Sequence, residues 1–481
     1  MKQSSDAPPA DLGDIPHEHF RSLLHQVADW IADYREKIAE RPISPNAAPG
    51  EIARALPQQA PERGEPIEEI LRDIDRLIAP GVVHWGHPQF TGYFGCTTTA
   101  PGILAEMIAA AFNVNAMTWR TSPAATELES VVLDWLRQWL DLPVEFRGVV
   151  YDTASISTMH ALAAAREGAF ERVRQRGLAG RDAPILRVYA SDQAHSSIEK
   201  AAIALGLGEE NVRRVPSDHD FCLEVSALRQ MVVEDRAHSF LPLAVVATVG
   251  TTSTASVDPV AEIAAVCRAE KMWLHIDAAY GGGLALLPEA GWVKEGWAAA
   301  DSLVINPHKM LFVPFDFSAL FVRQIERLRD VFTLVPEYLR HDTAGADTNY
   351  MDYGVQLGRR FRALKAWMVW RTFGREGLAA RIREHMRLAQ LLASWLQADG
   401  RFQLRAPVVM GVVCFAPARS DREESAANCQ RIVESINSSG RAYLTLTKLH
   451  GETAIRLGLG NILTNESHLR AVWQMIVEKL G

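Results

Sequence analysis

An aspartate and a lysine 32 residues apart, each at the end of an apolar run, constrain this 481-residue chain more than any other feature. Asp277 closes the run Met272–Ile276 and is followed by Ala278, Ala279 and, after Tyr280, three glycines. Lys309 follows Leu303, Val304 and Ile305 across a turn at Asn306-Pro307, with His308 beside it. Each run reads as a buried strand. The spacing fits one strand–helix–strand crossover, which makes the two strands parallel. In an open α/β sheet, ligands sit in the crevice beyond the carboxyl ends of the strands, where both residues fall. A carboxylate buried there needs a cationic partner. Partial burial or a nearby cation lowers a lysine's pKa and exposes the neutral amine that imine chemistry uses. A lone lysine after a turn is ordinarily solvated, and a lone aspartate is as often a cap. The pair is far more specific than either member.

A Schiff-base lysine together with an aspartate for a pyridinium nitrogen is the signature of pyridoxal phosphate chemistry. The stretch from Gly148 to Asp301 supplies what such a cofactor would need. Gly148–Tyr151 reads as a strand, and the string Thr153-Ala154-Ser155-Ile156-Ser157-Thr158 opens a helix expected over Met159–Arg172. Small hydroxyl residues at a helix start present N–H groups, side-chain donors and the positive dipole end to a phosphate, although a plain Ser/Thr cap reads the same way. Strands are also expected at Ile185–Ala190, followed by His195 before a helix, and at Leu243–Val249, followed by Thr251 and Thr252. Thr153–Ser155, His195, Thr251–Thr252 and Asp277 thus collect at strand ends of one α/β unit.

The flanks read differently. His17–Glu40 and Ile67–Ile78 are helical in pattern, joined by a Pro-rich connector over 41–64. Their apolar stripes must be covered by this chain or by a second copy. Gly81–Gly102 is irregular, and its Trp85, Phe90, Tyr93 and Phe94 suit either an apolar ligand pocket or ordinary core. A helix is expected at Ile103–Phe112 and another from Ser122-Pro123. Ile325–Tyr353 reads as a long polar loop able to close over a site, with Tyr338 as its candidate catalytic group. The tail alternates strands (Val408–Phe415, Ala454–Leu459) with helices (Glu423–Asn437, Glu466–Leu480), a small α+β unit. The expected division is 1–100, an N-terminal helical dimerisation segment; 101–375, a large cofactor-binding α/β domain; and 376–481, the small domain.

Composition excludes several classes. A formal net charge of −8 leaves no nucleic-acid footprint. Five scattered cysteines without a CxxC pair argue for a reducing compartment and against a metal site or disulfide frame. The amino terminus has no apolar signal core, and no uncharged apolar run reaches the roughly 20 residues of a membrane span. A cytoplasmic protein is the expectation.

With these residues assembled, the chain resembles the group II pyridoxal-phosphate decarboxylases, most of all the aromatic L-amino acid decarboxylases. The likeness runs from about Phe20 to Ile476 through HPQFTGYF, TWRTSPAATELE, SDQAHSSIEKA, GTTSTASVD, LHIDAAYGG, INPHK, PEYLRH and LGRRFRALKAW. It implies the fold-type I, aspartate aminotransferase-like architecture: a central mostly parallel sheet, an N-terminal helical segment and a small C-terminal α+β domain. It implies pyridoxal 5'-phosphate as cofactor, an amino acid substrate, and a homodimer with sites at the subunit interface. By the resemblance Lys309 carries the cofactor, Asp277 pairs with the pyridinium nitrogen and His195 stacks on the ring. Ala154, Ser155, Asn306 and His308 hold or neighbour the phosphate, and Thr251 and Ala279 lie near the ring. Tyr338 matches the loop tyrosine that protonates the substrate carbon. Trp85, Tyr93, Phe94, Cys96, Met117 and Gly358, with His195, match the substrate pocket.

Departures from the family pattern fall in that pocket. Gly95 and Cys96 stand where Pro and Thr or Ser are frequent, Met117 where animal members carry an aromatic, and Asp152 where Gly is usual. Arg120 would suit an acidic side chain, and the space at Gly358 an indole. The implied activity is decarboxylation of an aromatic L-amino acid to its amine. The alternatives are an aldehyde synthase on the same scaffold, a decarboxylase of an acidic amino acid, and a non-catalytic homologue. Retention of Tyr338 and His195 favours plain decarboxylation.

Overall fold

The computed structural model describes residues 13–45, 47–334, 348–418 and 421–480. Seven strands form the main sheet: β1 (Arg147–Tyr151), β2 (Leu186–Ser191), β3 (Val212–Val215), β4 (Leu241–Thr248), β5 (Trp273–Asp277), β6 (Ser302–Ile305) and β7 (Ser318–Val322). Their order is β1-β7-β6-β5-β4-β2-β3. The run from β3 to β6 is parallel, and β7 lies antiparallel to both β6 and β1. Strands β4 to β7 are buried almost throughout, which is why they read as continuous apolar runs. Register places Thr248 opposite Asp277 and Asp277 opposite Val304, so the carboxyl ends of β4, β5 and β6 finish side by side.

A second, antiparallel sheet has the order β10-β11-β9-β8, from β8 (Phe402–Leu404), β9 (Val412–Pro417), β10 (Thr445–Leu449) and β11 (Glu452–Gly458). The helices Arg422–Ser438 and Glu466–Leu480 close a separate core with it around Phe415, Ile432, Ile455 and Val472. The helix Ala363–Asp399 joins the two cores. It breaks at Gly374, whose φ of 63° and ψ of 171° no helix accommodates.

Several expectations are corrected. The helix expected at Met159 begins at Ala154, five residues earlier, and ends at Glu167. The stretch read as one long loop holds a helix at Glu326–Phe332 and a single turn at Tyr350–Tyr353. Tyr338, expected between them, lies outside the described residues. The helix expected over Ile67–Ile78 is α-helical to Asp73 and widens into a π-turn at Ile74–Ile78. No helix among the described residues is long and apolar enough to cross a membrane.

Candidate active site

The crevice beyond β4, β5 and β6 is a cavity of about 730 Å³. Its floor is built by strand ends and helix starts. The helix Ala154–Glu167 begins at the wall, with Thr153 ahead of it in extended conformation. The first helical bonds run from Ile156 and Ser157 N–H to Thr153 O, so the Ala154 and Ser155 N–H groups precede the ladder and face the cavity end. Asn306 and His308 follow β6 on the same wall. His308 Nδ1 accepts from Phe317 N–H at 2.9 Å, and its Nε2 lies 3.2 Å from Asn306 Nδ2. Burial pushes the His308 imidazole down to about 3, so it is neutral. Asn306 Oδ1 is buried without a partner, as is Thr248 Oγ1. Buried polar groups are ordinarily hydrogen-bonded, and two orphans in one cavity mark a place for a polar ligand.

Asp277 ends β5 and is buried. Its Oδ1 accepts from Ala279 N–H at 3.1 Å, which aims the carboxylate over the strand end. Behind it His275 is clamped between Ser302 Oγ (2.9 Å) and Thr158 Oγ1 (3.3 Å) and is held neutral by burial, its pKa down to about 4. Lys309 has its pKa lowered by desolvation above all; Asp277 and Cys96 oppose the shift and Arg456 adds to it. Its Nζ stands 4.9 Å from the Phe94 ring centre. His195 lines the cavity on the β2 side, accepts from Ser197 N–H through Nδ1 at 3.1 Å, and has its pKa lowered, again chiefly by desolvation.

One end of the cavity thus offers free helix N–H groups, an orphan amide oxygen and neutral histidine. The middle offers a buried carboxylate and a buried amine on facing strand ends. A flat aromatic aldehyde with an anionic arm and a basic ring nitrogen fits these groups. The remaining space is walled by Trp85, Tyr93, Phe94, Cys96, Phe315, Tyr443 and the strand β10. Trp85 and Tyr93 are stacked at 5.5 Å, and Phe94 on Tyr280 at 3.9 Å.

The structure brings Trp85, Tyr93, Phe94, Cys96, Ala154, Ser155, His195, Asp277, Ala279, Asn306, His308 and Lys309 to one cavity. It does not bring Thr251 there. Thr251 Oγ1 turns into a buried hydroxyl cluster, 2.9 Å from Thr254 Oγ1 and accepting from Ser256 N–H at 3.0 Å; Thr252 takes the cavity side. The two neighbours open a turn closed by Ala255 N–H on Thr251 O at 2.9 Å, which sends one side chain inward and the other to the cavity. Met117 and Gly358 do not reach the cavity within one chain. They flank Asn115 on the surface, its Nδ2 3.5 Å from Met117 Sδ and 3.9 Å from a Cβ placed at Gly358. Arg120 is exposed and away from the cavity. Asp152 caps the turn ahead of the helix, accepting from Thr153 N–H at 2.6 Å.

Arg456 was not anticipated from the sequence. It is a buried cation on the cavity wall, 4.7 Å from the Phe94 ring centre. Its Nη1 donates to Tyr93 O at 2.7 Å and its Nε to Ser253 O at 3.0 Å, while Nη2 has no partner. It lies far along the chain in β11, where alternation alone reads it as an outward-facing strand residue.

Comparison with known proteins agrees with this geometry. Residues 49–417 match the family model described as the pyridoxal-dependent decarboxylase conserved domain. An aromatic-L-amino-acid decarboxylase of Cavia porcellus is 38% identical over 470 residues, 95% of this chain and 96% of that protein. Among solved structures, an Oryza sativa TDC with PLP and tryptamine superposes with a TM-score of 0.93 at 34% identity, covering 98% of this chain and 99% of that one. A Rhodiola rosea 4-hydroxyphenylacetaldehyde synthase superposes at 0.89 with 32% identity, covering 97% and 98%. Lysine, aspartate and phosphate cradle on one strand edge, and a family match over most of the chain, lead to one conclusion: this chain belongs to the pyridoxal-dependent decarboxylases, amino acid carboxy-lyases that work with pyridoxal phosphate.

Proposed function

We propose that the protein removes the carboxyl group of an aromatic L-amino acid to give the corresponding amine. The observation that carries this is the wall of Trp85, Tyr93, Phe94 and Phe315 beyond Lys309, an apolar surface shaped for a ring. Pyridoxal phosphate, when bound, supplies an electron sink conjugated to the substrate Cα. The chain's own residues do the rest. Ala154 and Ser155 N–H, Asn306 and His308 would hold the phosphate arm. The Asp277 carboxylate would hold a proton on the ring nitrogen and so keep the cofactor an electron acceptor. Lys309, its amine made easier to deprotonate by burial, would hold the cofactor through its carbonyl carbon. His195 supports the ring face, and Thr252 and Ala279 neighbour it. Tyr338 is assigned, on the resemblance alone, to deliver the proton to Cα.

A homodimer is part of the proposal. The helix Ala100–Phe112 leaves Leu104, Ile108 and Phe112 exposed in one stripe, and Met117 and Gly358 lie just past its end. Those two residues enter the substrate pocket only if a second copy brings them there.

Two other readings have support of their own. Arg120 offers no cavity cation for an acidic substrate, but Arg456 Nη2 is one. The likeness to an aldehyde synthase leaves oxidative deamination open on this scaffold. Incubating the purified holoenzyme with tryptophan, tyrosine, phenylalanine, DOPA, histidine, glutamate and aspartate tests all three. Amine from aromatic members, without aldehyde or hydrogen peroxide, is the expected result. Product from glutamate or aspartate alone would overturn the aromatic reading, and stoichiometric aldehyde with peroxide would replace decarboxylation by deamination.

A further inference from the structure

We infer that Arg456 is a positioning residue for the substrate: its guanidinium fastens the Tyr93-Phe94 turn and the turn after β4 to β11, and so fixes the aromatic wall on which the substrate ring lies. The inference rests on the aromatic reading above and names the group that holds that wall in place.

The wall does not hold itself. Tyr93 has a φ of 54°, in the left-handed region. That conformation costs a residue with a Cβ about 1–2 kcal/mol and persists only where its surroundings impose it. Here they come from the end of β11. Arg456 Nη1 donates to Tyr93 O at 2.7 Å. Two residues on, Gly458 N–H donates to Thr91 O at 2.8 Å, and a Cβ added at Gly458 would strike Tyr93 O. Further along, a Cβ at Gly95 would stand 3.0 Å from Gly460 C, and Thr97 Oγ1 donates to Gly460 O at 2.9 Å. Residues 91–97 thus lie backbone against backbone along 456–460, with glycine at the closest approaches.

The same guanidinium reaches a second turn. Its Nε donates to Ser253 O at 3.0 Å, two residues before Ala255, which is left-handed as well, with a φ of 61°. Thr447 Oγ1 of β10 donates to Ser253 Oγ at 2.9 Å, and Thr252 beside it faces the cavity. Arg456 is 5% exposed, and its Cζ stands 4.7 Å from the centre of the Phe94 ring. That ring has Lys309 Nζ at 4.9 Å and Tyr280 stacked on it at 3.9 Å. One planar cation therefore ties two strained turns together and packs on the ring that neighbours the cofactor lysine. Two carbonyls on separate segments suit the guanidinium fork; a single ammonium cannot serve both in this geometry.

The test compares wild-type holoenzyme with Arg456→Met, Arg456→Lys and Gly458→Ala on tyrosine and tryptophan. Arg456→Met keeps most of the side chain's length and removes both bonds. It should raise KM for both substrates by at least about tenfold, the worth of one hydrogen bond from a charged donor. Its kcat should stay within about threefold of wild type, the pattern of lost ring binding rather than lost chemistry. Arg456→Lys can reach one carbonyl and should fall between the two. Gly458→Ala leaves the cation in place but pushes on Tyr93 O, and should raise KM as well. Hydrogen exchange of the apoprotein, read by mass spectrometry, gives a measure without turnover: residues 91–96 should exchange faster in Arg456→Met while β5 stays as in wild type. An unchanged KM in Arg456→Met and Gly458→Ala, or a kcat that falls as far as KM rises, overturns the inference. Wild-type enzyme that acts on no aromatic amino acid removes the aromatic reading instead, and the fastening of the turn then stands or falls on the exchange of 91–96.

Discussion

The residues of this site depend on one another through charge. Asp277 is buried, its carboxylate accepting from Ala279 N–H, and the lysine it faces has its own pKa lowered. Asp277→Asn can keep the bond from Ala279 N–H but carries no charge. Breaking a buried ion pair costs about 3–5 kcal/mol, so cofactor affinity and turnover should each fall by about a hundredfold or more while the fold persists. Fluorescence titration of the apoprotein with pyridoxal phosphate measures the first without any turnover; unchanged affinity would show that Asp277 does not contact the ring nitrogen. Asp277 and Lys309 were legible in the sequence because each ends an apolar run. The sequence offers Thr251 and Thr252 together and the resemblance puts Thr251 at the ring; the turn after β4 carries Thr252 to the cavity instead. Arg456 and Tyr443 were missed because they come from another sheet, more than 130 residues downstream of Lys309. Nothing local to either says that Phe94 and Tyr93 will be its neighbours.

At the scale of elements, periodicity found most strands and helices but not their partners. β7 was overlooked because its apolar run, Ser318–Val322, follows the site closely and reverses direction inside a parallel sheet. The helix after β1 was placed late because its first turn, Ala154–Thr158, is made of residues that also suit a loop. The helix Ala100–Phe112 poses the opposite question, since its apolar stripe is plain and lacks a cover. Leu104, Ile108 and Phe112 recur every four residues on one face, and Phe112 is 59% exposed. A second copy is the proposed cover. A charge at the centre of such a contact costs about 2–4 kcal/mol of association, so Ile108→Glu with Phe112→Asp should shift sedimentation from dimer to monomer at micromolar concentration. Wild-type protein that sediments as a monomer would remove the dimer, and with it the route by which Met117 and Gly358 reach a pocket.

Across the whole molecule, six histidines among the described residues are buried with depressed pKa values: His84, His87, His160, His275, His308 and His385. His87 is in the N-terminal segment, His160 in the helix over the sheet, His275 in the central strand β5 and His308 at the site. Burial depresses each pKa, to about 4 for His87 and His275 and about 3 for His160 and His308. Hydrogen bonds to Ser302 and Thr158 fix His275, while Tyr151 and Phe332 enclose His160. A histidine depressed in the fold stabilises it fully above the unfolded value near 6.5, and that contribution is lost as pH falls towards the folded value. One such residue held neutral to about pH 4 contributes about 3 kcal/mol. Asp258 opposes them: burial raises its carboxyl to about 7, so the fold gains from its protonation over the same range. Asp301 and Asp352 are raised by burial as well, but six buried histidines against three such carboxyls leave a net loss that begins near pH 6.5, above the range where ordinary carboxylates titrate. Tm should therefore fall by at least about 5 °C between pH 7 and pH 5, with net proton uptake on unfolding throughout. Calorimetry across that interval decides it: a Tm that stays level to pH 5 would mean that the buried histidines as a set do not stay neutral in the fold.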